Sequence, residues 1–334
     1  MIAIAPGKLI LSGEHAVVYG RPALAMAIDR CAQSIISPAS GQRVSFNLLD
    51  LQQSESFTLR ALNELKIRLA RNYQLFLEGR LTIREVLHKP IELFEFAFIT
   101  LLDGLHLKFG EGLSIQTRSN IPIGCGMGSS AATVLSMLRA IGHYFRVEFR
   151  PDWFLKYSLE AEKLQHGFPS GVDSYISLHG GCALFRDGKA ESIPLPRMHV
   201  YLVNTGTPAA TTGECVVAVK KRFAKDSIWS DFEAVTLELE KALRQNDHDT
   251  LRRMIAKNHR LLDRIGVVPE RVRRFIADVE SQGGVAKICG AGSVIGDNGG
   301  MVLVVSEKPP VELCRRYGYE LLTVRGDPLG ARIV

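Results

Sequence analysis

At about 150 residues per domain, a chain of 334 residues makes roughly two domains. With 46% hydrophobic and 23% charged residues, 30 Gly and 14 Pro, there is apolar material for a substantial core. Collagen-like, low-complexity and disordered readings are excluded, and no run approaches the roughly 18 apolar residues of a membrane span. The formal net charge of +6 suits an anionic small ligand, while the interspersed signs argue against a nucleic-acid surface.

Ile2–Ile4 alternates with small residues as a strand that breaks at Pro6-Gly7 and resumes through Leu9–Leu11. Pro22 at a first-turn position predicts a short helix over Ala23–Ile28, and Cys31–Ile36 is strand-like. Between Ser56 and His106 apolar residues recur at helical spacing, among them Leu62, Leu65, Leu69, Phe94, Phe98 and Leu101. Leu113–Thr117 reads as a strand. A glycine-rich turn, Ile121–Ser130, then leads into a strong helix from about Ser129 to Phe145, with Ser129 as its cap. Asp152–Gln165 is helical, Val172–Leu178 follows, and Cys182–Phe185 is a strand. Pro194 and Pro196 interrupt the pattern and mark the expected boundary between a domain of residues 1–193 and one of 194–334. Beyond it come a strand at Val200–Val203, helices over about 227–245, 248–265 and 269–282, and strands Ala286–Cys289 and Met301–Val305. The last two flank a second glycine-rich loop, Gly290–Gly300. Helices clustered between strands predict α+β layers.

The turn Gly124-Cys125-Gly126-Met127-Gly128-Ser129-Ser130 is the sharpest chemical signal. Alternate glycines let backbone amides approach an anion, and the helix behind adds free N–H groups and the positive end of its dipole. The spacing fits neither the Walker A nor the dinucleotide pattern. A plain strand-to-helix connection is the competing reading. Mg²⁺ takes few protein oxygens; Ser130 offers one, and Glu162 and Asp173 are the carboxylate candidates. Taken alone, Glu162 also reads as a surface charge pairing with His166, and Asp173 as a helix N-terminal cap. Lys8 is either an edge solubiliser or the ionic partner of a buried carboxylate or phosphate, and His15 either a core histidine or a site residue. The six cysteines are far apart, with no metal-binding spacing, and read as free thiols in a reducing compartment. No secretory signal opens the chain, so the expected location is cytoplasmic.

Together these stretches resemble the GHMP kinase superfamily, most of all its mevalonate-phosphorylating branch. The resemblance rests on Ala5–Ala25 with its Gly13-Glu14-His15 run, on Pro122–Ala132, on Glu162–Asp173, and on Asn258–Leu262 with Ile265-Gly266-Val267. It implies a two-domain α+β fold, with an amino-terminal domain like the second domain of ribosomal protein S5, a ferredoxin-like carboxyl-terminal domain, and the active site in the cleft between them. It implies ATP and Mg²⁺, with transfer of the γ-phosphoryl group to a primary alcohol, mevalonate or a similar one. By resemblance, Gly124–Ser130 hold the ATP phosphates with Ser119 near the nucleotide, and Ser130 and Glu162 bind Mg²⁺. Asp173 faces the acceptor hydroxyl with Lys8 beside it, and Glu14, His15 and Thr211 line the acceptor side. Relatives of this family are often dimers, which implies a homodimer; neither nucleic acid nor membrane is expected as a partner.

Two departures stand out. The third motif, Gly290-Ala291-Gly292, continues as a longer polar loop, and Ala209-Ala210 replace the basic residue often found before Thr211. Rival readings are a kinase for phosphomevalonate, a sugar or an amino alcohol, and a non-catalytic ligand-binding member of the superfamily.

Overall fold

The segment Ala23–Ile28, expected to form a short helix, opens the longest strand of the molecule. Its alanines favour a helix in isolation, but all six residues are at most 1% exposed. They lie between neighbouring strands and beneath helices, where small side chains let helices lie close to the sheet. Tertiary packing overrides propensity here.

The computed structural model describes residues 1–108, 110–186 and 189–334. The first part of the chain forms β1 (Ile2–Ser12), β2 (Ala23–Ala39), β3 (Arg43–Leu48), β4 (Gln53–Thr58), α1 (Leu59–Leu77), α2 (Ile91–Gly104), β5 (Gly112–Ser119), α3 (Ser129–Tyr144), α4 (Pro151–His166), α5 (Val172–His179), β6 (Cys182–Arg186) and β7 (Lys189–Ile193). The second part forms β8 (Val200–Asn204), α6 (Thr212–Phe223), α7 (Ile228–Gln245), α8 (His248–Arg264), α9 (Glu270–Ser281), β9 (Val285–Cys289), β10 (Met301–Val305), α10 (Val311–Tyr317), β11 (Glu320–Thr323) and β12 (Arg332–Ile333). Helices α6 and α10 carry no strong pattern and are not anticipated by the sequence reading.

One sheet runs β12-β1-β2-β5-β3-β4, with β6 pairing the start of β2 and β7 pairing β6. Only β3 and β5 are parallel among its described pairs. The Pro6-Gly7 break expected within the first strand is a register shift that β1 absorbs without ending. Helix α3 packs across β1 and β2 and is buried over most of its circumference. The other sheet runs β11-β8-β10-β9, fully antiparallel, in the strand order of a ferredoxin-like unit. Helix α8 packs on β9, and α7 packs on α8. After β11 the chain returns to the first sheet, where β12 pairs β1. No helix among the described residues is long and apolar enough to cross a membrane.

Candidate active site

Three of the expected stretches meet at Gly128. It takes φ +69° ahead of α3, and a Cβ there would lie 2.9 Å from Lys8 Cγ and 3.6 Å from Asp173 Oδ2. Lys8 N donates to Met127 O at 2.9 Å, so β1 runs directly beside the glycine turn. The left-handed Gly128, rather than Ser129, occupies the cap position, and Ser129 begins the helix. Gly124 and Gly126 also have positive φ, which puts Cys125 and Met127 inward (4% and 1% exposed) and leaves the exposed Gly124 and Gly126 on the outside. Ser129 and Ser130 are half-buried in the first turn of α3. Ser119, at the end of β5, accepts from Ile121 N at 3.1 Å and so shapes the entry to the turn.

Lys8 is 4% exposed and its ammonium lies 3.1 Å from Asp173 Oδ1. The solubiliser reading of Lys8 is thereby excluded. Asp173 is not the cap of α5: Gly171 holds that position, and the aspartate sits in the first turn with its side chain turned to the lysine. Glu162 is 2% exposed and accepts from Ser174 Oγ at 3.1 Å instead of pairing with His166 on the surface. Its Oε1 is buried without a hydrogen-bond partner. Burial, and then the charge of Asp173, push the Glu162 carboxyl up to about 8, against the pull of Ser174 and Lys8. A buried carboxylate with an orphaned oxygen and a like charge nearby is a place for a cation.

Glu14 and His15 follow β1 into the second unit. Glu14 is sealed at 2% exposure in an ion pair with Lys287, itself fully buried on β9. Burial raises the Glu14 carboxyl and the Lys287 charge opposes that rise. His15 has φ +58°, and its Nε2 lies 2.9 Å from Ala291 O, so Nε2 carries the proton; burial lowers its pKa. Gly290 packs against Gly126, whose Cβ would sit 3.5 Å from Gly290 Cα, so the third glycine motif touches the phosphate-type turn. Thr211 stands at the start of α6 in a capping box with Glu214, which in turn pairs with Arg84 at 2.7 Å. Gly124 lies against Thr207, a few residues upstream.

The structure thus brings together Lys8, Gly124–Ser130, Glu162 and Asp173, with Glu14 and His15 on the adjoining wall and Thr211 held within its own helix cap. Lys287 was not foreseen. A lone lysine in the apolar strand Val285–Cys289, three residues ahead of Gly290, was the available signal.

The pattern described as GHMP kinases N terminal domain matches residues 93–181, and that described as GHMP kinases C terminal matches 239–296. A mevalonate kinase of Archaeoglobus fulgidus is 31% identical over 318 residues, covering 92% of this chain and 94% of the relative. That of Thermococcus sibiricus is 28% identical over 306 residues, covering 87% and 86%. The crystal structure of the Methanococcus jannaschii mevalonate kinase superposes with a TM-score of 0.80 at 26% identity, covering 98% of each chain. This chain belongs to the GHMP kinase family and, within it, to the mevalonate kinases.

Proposed function

We propose that this chain transfers the γ-phosphoryl group of ATP to the 5-hydroxyl of mevalonate. The observation that carries the reading is the ion pair of the buried Lys8 with the partly exposed Asp173, set against the Gly128 turn. Lys8 occupies Asp173 Oδ1, and Oδ2 faces the glycine turn, where it is placed to accept the hydrogen of an alcohol. The alcohol oxygen so oriented faces the phosphoryl group, whose neighbours Gly124, Gly126 and Gly128 offer backbone N–H groups to the remaining phosphates. The transition state spreads negative charge over the transferred group, so positioning and electrostatics dominate, and Lys8 is the fixed cation at that point. Asp173 keeps the proton it takes until product leaves, and Lys8 stabilises the oxygen from which it came.

Ser130 and Glu162 are the residues we assign to Mg²⁺, the buried Glu162 Oε1 being an oxygen without a partner that such an ion would satisfy. When bound, Mg²⁺ supplies charge neutralisation on the phosphates. We assign His15 and Thr211 to the acceptor wall, with Glu14 behind it, and Ser119 to the nucleotide side. We also propose the division at residues 193/194, with the cleft between the two units as the site and the last strand as a return to the first. Free cysteines throughout the described chain support a reducing, cytoplasmic location. A homodimer is the assembly to test by light scattering.

A coupled ADP-release assay with mevalonate, phosphomevalonate, galactose and homoserine tests the reading. Turnover with mevalonate at least tenfold above the others is expected. Preference for another alcohol would move the assignment within the family, and ATP binding without turnover would favour a non-catalytic binder.

A further inference from the structure

The end of β1 is bonded to the second unit at four successive points. Ile10 O accepts from Lys287 Nζ at 3.1 Å, and Ser12 Oγ accepts from Asn258 at 3.0 Å while lying 2.7 Å from Thr236. Since Thr236 Oγ1 donates to Phe232 O at 2.8 Å, Ser12 is the donor to Thr236, and the chain of hydrogen bonds runs one way from α8 through β1 into α7. Glu14 pairs with Lys287, and His15 donates to Ala291 O. Lys287, Ser12, Asn258 and Thr236 are all 0% exposed. Charges taken fully out of water persist only when paired and hydrogen-bonded, and losing one partner strands the other.

Three of these four points, at Ile10, Glu14 and His15, are made by β9 and the turn that follows it. Lys287 sits three residues before Gly290, and Gly290 packs on Gly126 of the phosphate-type turn. Lys8, six residues before Glu14 on the same strand segment, reaches that turn from the other side through Met127 O and Asp173. The path Lys8–Glu14–Lys287–Gly290–Gly126 closes a ring through both sheets. Its one ionic link is Glu14–Lys287. Both residues are sealed from solvent; Glu14 Oε1 is taken by Lys287, and Oε2 is buried without a hydrogen-bond partner.

We infer that Lys287 is a positioning residue for phosphoryl transfer, fixing the register between the segment that carries Lys8 and the glycine turn, and that Glu14 acts through Lys287 rather than by touching the acceptor. This rests on the kinase reading above. A register error of about 1 Å between reacting groups costs on the order of 10²-fold in rate, and an interaction that matters only in the transition state lowers kcat without raising KM.

The test is steady-state kinetics on E14Q, K287M and the double variant E14M/K287M, with folding checked by circular dichroism and urea unfolding. The single variants are expected to lose at least tenfold in kcat, with KM for mevalonate and for ATP within about threefold of the parent. The apolar pair, with no stranded charge, is expected to recover kcat above either single variant. Folded single variants with the parent's kcat would reduce Lys287 to a structural role and overturn the proposal. A tenfold rise in mevalonate KM in E14Q that the double variant does not recover would mark Glu14 as an acceptor contact and also overturn it. E14Q keeps an oxygen for Lys287 to bond, so this comparison survives if K287M does not fold. Absence of mevalonate-dependent ADP release in the parent protein would instead fault the kinase reading itself.

Discussion

Asp173 is held by a lysine that is 4% exposed, while the aspartate is 30% exposed and open to a ligand. Replacing it by Asn keeps an oxygen for Lys8 but removes the proton acceptor and one charge. Proton transfer to a placed group contributes about 10²–10⁴-fold, so D173N should lower kcat by that order with a small shift in the urea midpoint. A folded D173N protein with near-normal kcat would remove Asp173 from the mechanism. Glu162 is the complementary case, fully enclosed and with one oxygen unpartnered. E162Q leaves the volume and removes the charge, so ADP release should need a higher Mg²⁺ concentration; an unchanged Mg²⁺ titration would exclude Glu162 as a ligand. Both positions were reached through the resemblance to the GHMP kinases, since taken alone Asp173 reads as a helix cap and Glu162 as a surface charge. Lys287 was not, since a lysine's burial and its partner 273 residues away are properties of the folded chain alone.

Among the elements, α2 shows how burial can work against a charged residue. Glu95 is 1% exposed on a helix buried over most of its surface, and its Oε1 has no hydrogen-bond partner. Burial first, then the charges of Glu55 and Glu92, push its carboxyl from 4.5 up to about 8, against Lys89 and Arg68. Between those pH values the folded protein holds a proton that the unfolded chain has released. Stability therefore falls as pH rises through that window and is lowest above about pH 8. The loss from this group is at most about 5 kcal/mol. E95Q should flatten that part of the profile, stabilising the protein at pH 8.5 relative to the parent and changing it little at pH 4.5; equal parent and variant urea midpoints at both pH values would contradict this. Long periodic helices such as α7, α8 and α9 were legible to within a residue or so, because each carries a one-sided apolar stripe, α8 and α9 against β9 and α7 against α8. The first half of β2 was not, because a strand enclosed on both faces loses the alternation that distinguishes a strand from a helix. Residues 56–58, expected to begin a helical region, belong instead to β4, whose last residue, Thr58, caps α1.

At the scale of the whole molecule, the two glycine-rich turns and the strands β1, β5, β6, β8, β9 and β10 were readable, while β3, β4, β7, β11 and the return of the chain end to the first sheet were not. That return depends on contacts with no local pattern. Gly181 N donates to Asp327 O at 2.8 Å, Asp327 N to Ala27 O at 3.0 Å, and Ala331 N to Leu178 O at 3.0 Å. Arg332 holds the Asp327 carboxylate at 3.0 Å, and β12 then pairs β1. The tail thereby braces the far end of α5, the helix whose first turn carries Asp173. The approach is so close that a Cβ on Gly330 would lie 1.9 Å from Leu178 O, a backbone atom that cannot swing aside. G330A must displace either the tail or the end of α5, at a cost of about 1–3 kcal/mol in strain and lost hydrogen bonds. It should lower the urea midpoint. It should also reduce kcat, though by less than D173N, since the helix is shifted and the carboxylate remains. Relief by shortening the tail is not expected, because removing residues 326–334 would expose the edge of β1 and leave Ala27 O and Leu178 O without their donors. If G330A unfolds at the parent's urea concentration with the parent's kcat, the tail lies on α5 without bracing it, and the alignment of Asp173 is set entirely from the Lys8 side.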